Sequence, residues 1–339
     1  MPAMIAATTC LNTARPALPG LAATALLAAL GVCLWQLSNR SAMVSPMVVA
    51  LMLGLLLGNA GLPTHRLAPG TALALRPVLR CGIVLLGFRL TFDDLAGLGF
   101  GGAALIVALV VVSFVVIRRA GALLGVSPAL SELIAAGTSI CGASAVLGMN
   151  TVTRGRDEEV AYAIACVTVF GTLSMLIYPL AQPLLHLSAN AYGLWSGATI
   201  HEVAQAVGAG WALGETSGEL ATIAKLGRVL LLAPMILGLG LVKGKTEAQP
   251  ARLAVPWFVF GFLGAIALNT AIALPPELIS ALTMASTFML AMALGAMGLD
   301  ARLSALKSEG WRPFLLGACG WIFISGAGLA AITLLRLWQ

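Results

Sequence analysis

Two polar stretches interrupt an otherwise apolar chain: Gly137-Thr-Ser-Ile-Cys-Gly-Ala-Ser144 and Gly197-Ala-Thr-Ile-His-Glu-Val-Ala-Gln205. The first holds two glycines, three hydroxyls and a thiol, and the second holds a histidine, a glutamate and a glutamine. Glycine lowers helix stability by about 1 kcal/mol relative to alanine, and hydroxyls compete for backbone hydrogen bonds. Both stretches are therefore predicted to break helices. Their shared opening, Gly-[Thr/Ala]-[Ser/Thr]-Ile, suggests an internal duplication.

The sequence around these stretches has the composition of a membrane protein. Of 339 residues, 60% are hydrophobic and 9% are charged, against about 25% charged in a soluble domain. Apolar runs of near-membrane length account for most of the chain. The polar sequence that remains is too short for a separate soluble domain or a nucleotide-hydrolysing cassette. The composition predicts an all-α polytopic membrane protein with about 10–11 transmembrane helices and short loops.

Basic residues predict how the chain is oriented. The predicted spans are 21–37, 43–60, 71–90, 98–117, 130–150, 159–182, 191–211, 220–241, 254–273, 279–299 and 313–337. With eleven crossings, the connections and adjoining span ends on the side of the N-terminal tail hold eleven basic residues, and those on the opposite side hold five. Because basic loops stay in the cytoplasm, we predict a cytoplasmic tail over 1–20 and a single multi-pass transmembrane domain over 21–339. The net charge of +6 is interpreted as topology, and no nucleic-acid partner is expected.

Four ionisable side chains lie inside predicted spans next to the polar stretches. His201 and Gln205 are four residues apart and share a helix face beside Glu202, while Lys225 and Arg228 share a face in the next span. Ionisable groups at membrane depth usually point into a protein interior or a wet cavity. Two questions stay open. The cations either balance Glu202 or attract an anion, and His201 is either functional or a neutral residue that forms a hydrogen bond between helices.

Hydroxyls, a cation and the backbone N–H groups at half-helix N-termini can together bind an anion without a metal. The predicted substrate ligands are Thr138, Ser139, Cys141, Gly142, Ser144, Thr199, Gln205, Lys225 and Arg228. The predicted ion-coupling residues are His201, Glu202, Glu158 and Glu159. For the last two, the alternative is capping of the sixth span, where acids favour the helix N-terminus. For the hydroxyls and glycines, the alternative is helix packing, as also predicted for Gly54-x-x-x-Gly58 and Gly193-x-x-x-Gly197.

One near-miss motif suggests a different class of protein. His201-Glu202-Val-Ala-Gln205 differs by one residue from the zinc signature H-E-x-x-H. Glutamine is a poor zinc ligand, and the chain has three histidines. An intramembrane zinc hydrolase is therefore kept only as an alternative, and no metal or other cofactor is predicted.

A further set of motifs consists of Cys141-Gly-Ala-Ser-Ala145, Glu158-Glu-Val-Ala-Tyr-Ala-Ile-Ala165, Phe170-Gly-Thr172, Tyr178-Pro179 and the stretch 193–205. Together these motifs resemble the YeiH-type family, whose members are labelled sulfate exporters. The resemblance implies a bacterial inner-membrane protein similar in fold to the sodium/proton antiporter and bile-acid symporter group. That fold has inverted repeats, a panel domain and a core domain with crossed, broken helices. Many members of the group dimerise, so a homodimer is an option.

The leading hypothesis is a secondary transporter, not an enzyme, within the lipid bilayer. It would export a small inorganic or organosulfur anion, with sulfate or sulfite first, driven by an ion gradient or the membrane potential. A proton or a sodium ion would be the coupling partner. The alternative within transport is a cation/proton antiporter in which Glu202, Glu158 or Glu159 binds the ion.

Overall fold

The computed structural model describes residues 15–38, 45–60, 64–242, 257–272, 274–301 and 310–335. Within these ranges the chain is almost wholly helical and forms no strand. Helices long and apolar enough to cross a membrane are α1 (Leu18–Leu37), α3 (Ala68–Arg89), α5 (Gly99–Leu123), α8 (Asp157–Leu185), the α11–α12 segment (Glu215–Val242), α14 (Pro276–Asp300) and α15 (Trp311–Leu334). The predicted all-α membrane class is confirmed.

Shorter helices complete the described chain. They are α2 (Pro46–Asn59), α4 (Phe92–Ala96), α6 (Pro128–Ser139), α7 (Ala143–Thr153), α9 (Ala189–Thr199), α10 (Val203–Ala212) and α13 (Trp257–Ala271). The α11–α12 segment consists of α11 (Glu215–Leu230) and α12 (Leu232–Val242). Helix α1 begins inside the predicted tail 1–20, whose residues 1–14 lie outside the described part of the chain. Residues 43–44, 254–256, 273 and 336–337 of the predicted spans also lie outside it.

The chain forms two compact units. Unit 1 comprises the described residues up to Thr91 and from Phe258 to Ala301, and unit 2 comprises the remainder. In unit 1, α2 packs closely on α14: a Cβ at Gly54 would overlap the backbone of Gly295, and one at Gly58 the backbone of Leu299. The close helix contact predicted for Gly54-x-x-x-Gly58 is thus confirmed.

In unit 2, α6 and α7 form a hairpin, called hairpin 1 (128–153). Thr153 Oγ1, at the end of α7, donates to Glu132 Oε2 near the start of α6, at 2.8 Å. In one continuous helix these residues would be about 30 Å apart. Ser127 begins the hairpin as an N-cap, its Oγ accepting from Leu130 N at 3.2 Å. The chain therefore turns back at residues 140–142, called tip 1.

Helices α9 and α10 form hairpin 2 (189–212) in the same way. Tyr192 Oη in α9 donates to the Ala209 carbonyl in α10 at 3.0 Å, although about 25 Å would separate these residues in a continuous helix. Ser188 is the N-cap, its Oγ accepting from Ala191 N at 3.1 Å. The turn is at residues 200–202, called tip 2.

The two hairpins approach each other from opposite ends of the α11–α12 segment. Hairpin 2 packs on the first half, since a Cβ at Gly193 would meet the Ser217 backbone and one at Gly197 the Ala221 backbone. Gly148 of hairpin 1 instead faces Ile236 in α12. Each hairpin is followed by one long helical segment, α8 or α11–α12, so the two hairpin-plus-helix segments are inverted relative to each other.

This architecture corrects two of the eleven predicted spans. The other nine correspond to single helices or, for 220–241, to the α11–α12 segment. The segments 130–150 and 191–211 are apolar and long enough for one crossing each, but each folds back as two half-length helices. Helix breaks were predicted correctly at both places, whereas neither segment forms the single continuous helix of a predicted crossing. The crossed helices implied by the resemblance stay a prediction.

Candidate functional site

The site is the place where the two tips meet, and a carboxylate joins them. Glu202 at tip 2 accepts a hydrogen bond through Oε1 from the backbone N–H of Ala143, the first residue of α7. Glu202 is also the N-cap of α10, where it forms a capping box with Gln205. One acidic side chain thus lies at the N-termini of two half-length helices, where the positive end of each helix dipole favours it.

Lys225 on α11 also joins the two tips, but with a positive charge. Its Nζ donates to the carbonyls of Ile140 at 2.8 Å and Ile200 at 2.7 Å, and to that of His201. An ammonium group has three N–H donors. All three are therefore used by backbone oxygens, two of which belong to the C-caps of α6 and α9.

Arg228, one turn further along α11, completes this arrangement. Its Nε donates to Ser139 O at 3.1 Å, its Nη1 to Ile200 O at 2.8 Å and its Nη2 to Thr138 O at 2.8 Å. The last carbonyls of a helix lack partners within the helix and carry its negative end. The two cations thus stabilise the C-terminal ends of α6 and α9, as the carboxylate stabilises the N-terminal ends of α7 and α10.

Two glycines make room for tip 2. Gly142 has φ +68°, and a Cβ there would overlap the Glu202 carboxyl group. Gly171 on α8 faces the Gln205 side chain, which a Cβ would overlap, and the Cβ of His201. Gly142 is among the predicted site residues, whereas Gly171 is not, although it lies in the motif Phe170-Gly-Thr172 that contributed to the family resemblance.

Two buried side chains at the tips have polar atoms without a hydrogen-bond partner. They are Ser139, through Oγ, and His201, through both ring nitrogens, and both residues are fully buried. Buried polar atoms in proteins nearly always have a partner, and an unpaired one costs about 1–3 kcal/mol. Among the predicted site residues, Ser139 and His201 therefore have polar side-chain atoms available for a further hydrogen bond, and their role as ligand contacts stays a prediction.

The other predicted substrate ligands differ in their surroundings. Thr138 and Cys141 are buried, while Ser144 is exposed next to the partly exposed Glu202. Thr199 Oγ1 donates to Trp195 O at 2.6 Å and lies 2.9 Å from the Tyr178 hydroxyl.

Gln205 is bound to α8, its Nε2 donating to Thr168 O at 3.1 Å and Thr172 Oγ1 at 3.0 Å. The polar atoms of Thr199 and Gln205 therefore already bind other parts of unit 2. For both residues the role of substrate ligand stays a prediction.

Glu158 and Glu159 lie at the base of hairpin 1, away from the tips. Glu159 accepts from the Ser127 hydroxyl and, through Oε2, from Arg156 N at 2.9 Å, forming a capping box at the start of α8. Glu158 is exposed. Glu159 precedes Gly171, which contacts tip 2, by twelve residues, or about 18 Å of helix. The capping alternative describes Glu159, and its coupling role stays a prediction.

The tips carry an excess of positive charge. Lys225 and Arg228 supply two cations and Glu202 one anion, so the ionisable side chains sum to 2 − 1 = +1 with His201 neutral. The two helix N-termini and two C-termini that meet here have opposite partial charges that cancel. This is the formal charge of the side chains, and the binding of an anion by Lys225 and Arg228 stays a prediction. Among the described residues, no group of three or more His, Cys, Asp or Glu side chains is placed to hold a metal.

The fold and the site define a polytopic, all-helical membrane protein with two opposed hairpins whose charged tips meet inside one unit. A family model described as Conserved hypothetical protein 698 matches residues 19–317. The chain belongs to this family, the UPF0324 membrane proteins, as the motifs predicted.

Similar proteins in several bacteria cover most of the chain. UPF0324 membrane protein PA5383 of Pseudomonas aeruginosa is 38% identical, over 94% of either chain. UPF0324 membrane protein Cgl0015/cg0018 of Corynebacterium glutamicum is 39% identical, over 87% of this chain and 86% of the relative. UPF0324 inner membrane protein YeiH of Escherichia coli K12 is 35% identical, over 92% and 93%. No solved structure matches the chain.

Proposed function

We propose that this protein is a secondary transporter that moves a small inorganic or organosulfur anion, with sulfate or sulfite first, across the bacterial inner membrane. The observation that carries the proposal is the meeting of the two tips, where the unpartnered side chains of Ser139 and His201 lie beside the cations Lys225 and Arg228. Discontinuous helices that meet at the midplane are typical of secondary transporters. The location is supported by the name of the Escherichia coli relative, an inner membrane protein.

The position of Glu202 supports coupling to protons. Its carboxylate accepts the hydrogen bond of the Ala143 backbone N–H, at the N-terminus of α7 where an anion would bind. A bound anion and an ionised Glu202 compete for this donor. A proton on Glu202 removes its charge and weakens its hold on the N–H group, so the anion and the proton bind together. Ser144, the next residue of α7, is exposed.

The hairpins also support the proposed orientation. If neither hairpin crosses the membrane, the loop 154–156 moves to the side of the N-terminus. The basic residues then divide as thirteen on the N-terminal side and three on the other, where eleven crossings gave eleven and five. This stronger bias favours a cytoplasmic N-terminus. Hairpin 1 then enters from the cytoplasm and hairpin 2 from outside, as alternating access between two inverted repeats requires.

Transport in liposomes tests the proposal. Purified protein should move labelled sulfate, sulfite or a related sulfur oxyanion above the rate of protein-free liposomes, and faster with a proton gradient directed along the flux. The assay is run in both directions, under proton gradients, sodium gradients and an imposed potential. If none of these anions moves under any of these conditions, the proposed substrate class is wrong.

One observation favours the alternative of a cation/proton antiporter. The carboxylate of Glu202 lies at the same tip as two of the backbone carbonyl oxygens around Lys225, those of Ile200 and His201, and such oxygens also bind metal cations. This alternative predicts sodium- or potassium-dependent proton release from the same liposomes with no anion requirement. Proton release that needs a sulfur oxyanion, in any sodium or potassium concentration, would exclude it.

A further inference from the structure

Three backbone oxygens from both tips converge on one point inside unit 2. They are the carbonyls of Ile140, Ile200 and His201, and the Nζ of Lys225 occupies the point, 2.8 Å from the first oxygen and 2.7 Å from the second. Lys225 is fully buried. The cluster joins segments separated by 60 residues of sequence, so it exists only when the two tips are together.

The chemistry of this cluster is that of a cation site. Carbonyl oxygens arranged around one point replace the hydration shell of a bound monovalent ion. An ammonium group interacts with these oxygens as a monovalent ion does, because it carries a single positive charge and has no acceptor atoms. Arg228 differs, because its guanidinium spreads its donors over the separate carbonyls of Thr138, Ser139 and Ile200.

We infer that the carbonyls of Ile140, Ile200 and His201 form a monovalent-cation site at the tip junction, and that the tethered ammonium of Lys225 is its resident cation. A free sodium, potassium or small alkylammonium ion takes this place when the lysine side chain is shortened. The wild-type tips then assemble without a metal cation. If the proposed transport holds, on which this consequence rests, transport needs no metal cation for that assembly.

The two equivalent oxygens strengthen this inference. Ile140 and Ile200 end the duplicated openings Gly137-Thr-Ser-Ile and Gly197-Ala-Thr-Ile, and both are C-caps of the first helix of a hairpin. Each therefore presents the negative end of a helix dipole to the same point. Without a cation there, two helix C-termini would face each other, which is unfavourable in a buried setting of low dielectric.

Thermal unfolding of purified Lys225→Ala tests the site without any transport measurement. The salts are sodium, potassium, ethylammonium and choline chloride at equal ionic strength, and choline is too large for the site. We expect at least one of the three small cations to raise the unfolding temperature of Lys225→Ala by about 3 °C or more relative to choline, the shift given by about tenfold saturation. The wild type should unfold at one temperature in all four salts.

A second variant keeps the test decisive if Lys225→Ala does not fold. Lys225→Met retains an apolar stem that fills the path of the lysine side chain, so sodium or potassium should stabilise it while ethylammonium should not. Equal unfolding temperatures of the variants in all four salts would overturn the inference, as would the same cation dependence in the wild type. Neither result bears on anion transport, so this test and the liposome assay can fail separately.

Discussion

The two hairpins have the same backbone plan but different chemistry at their tips. Both begin at a serine N-cap and turn after an isoleucine whose carbonyl binds Lys225. Counting from these isoleucines, Gly142 corresponds to Glu202. The carboxyl group of Glu202 lies where a side chain at Gly142 would be. The two hairpins thus share a backbone scaffold, while tip 2 supplies the charge and tip 1 supplies the space for it.

The largest expected effect concerns the side of the membrane from which each hairpin enters it. Arg154 and His186 make a matched pair for cysteine labelling, since both are exposed, left-handed C-cap residues of helices in unit 2. In a cysteine-free background, a membrane-impermeant thiol reagent added outside should label His186→Cys and spare Arg154→Cys. Eleven single crossings predict the reverse for both positions, so the assay separates the two topologies.

The next effect is on stability, from filling the space at tip 1. Gly142→Ala adds a Cβ at φ +68° and against the Glu202 carboxyl, so we expect a loss of about 3 kcal/mol from backbone strain and overlap. Gly99→Ala is the matched control, because Gly99 has φ +59° and no atom near its Cβ position. Chemical denaturation should show the control losing less than half as much. Equal losses would mean that Glu202 does not occupy this space.

A third effect concerns the charge that only tip 2 carries. Glu202→Gln keeps an oxygen that accepts from Ala143 N but has no titratable proton. We expect it to exchange the anion across liposomes within about threefold of the wild-type rate, and to lose accumulation driven by a proton gradient. The control is Glu277→Gln, which changes the same charge on an exposed residue in the first turn of α14. Loss of proton-driven accumulation in the control as well would contradict the role assigned to Glu202.

The smallest effect compares two hydroxyls at equivalent places. Ser139 Oγ has no partner, whereas its counterpart Thr199 bonds to Trp195 O and lies beside the Tyr178 hydroxyl. Ser139→Ala should change stability by less than about 0.5 kcal/mol and weaken the apparent affinity for the transported anion about fivefold. Thr199→Val should lose about 1 kcal/mol of stability with little change in affinity. The opposite pattern would assign the ligand contact to Thr199.

Much of the fold could be predicted from local sequence, because apolar runs determine where helices lie and Gly-rich, hydroxyl-rich stretches determine where they break. What could not be predicted is that 130–150 and 191–211 turn back. A run of about 20 apolar residues fits one crossing or two half-crossings. The choice is made by distant contacts, such as Gly171 of α8 against His201.

Sequence could predict which residues belong to the candidate site, but not which of them contact each other. The scarcity of ionisable groups in the spans identified His201, Glu202, Lys225 and Arg228, and the structure brings all four to the tips. Sequence could not show that Lys225 binds carbonyls, since one of its partners is Ile140, 85 residues away. For the same reason, sequence left open whether the two cations balance Glu202 or attract an anion, and the anion role stays a prediction.

The order of the elements along the chain has a consequence for biosynthesis. A lysine or an arginine at the centre of an inserting helix costs about 2.5–3.5 kcal/mol, and α11 carries both. Every carbonyl that binds Lys225 or Arg228 precedes them in sequence, so these partners have left the ribosome before α11 enters the translocon. We therefore expect 215–242 to integrate poorly as an isolated segment and well behind both hairpins, which glycosylation mapping of nascent chains can measure.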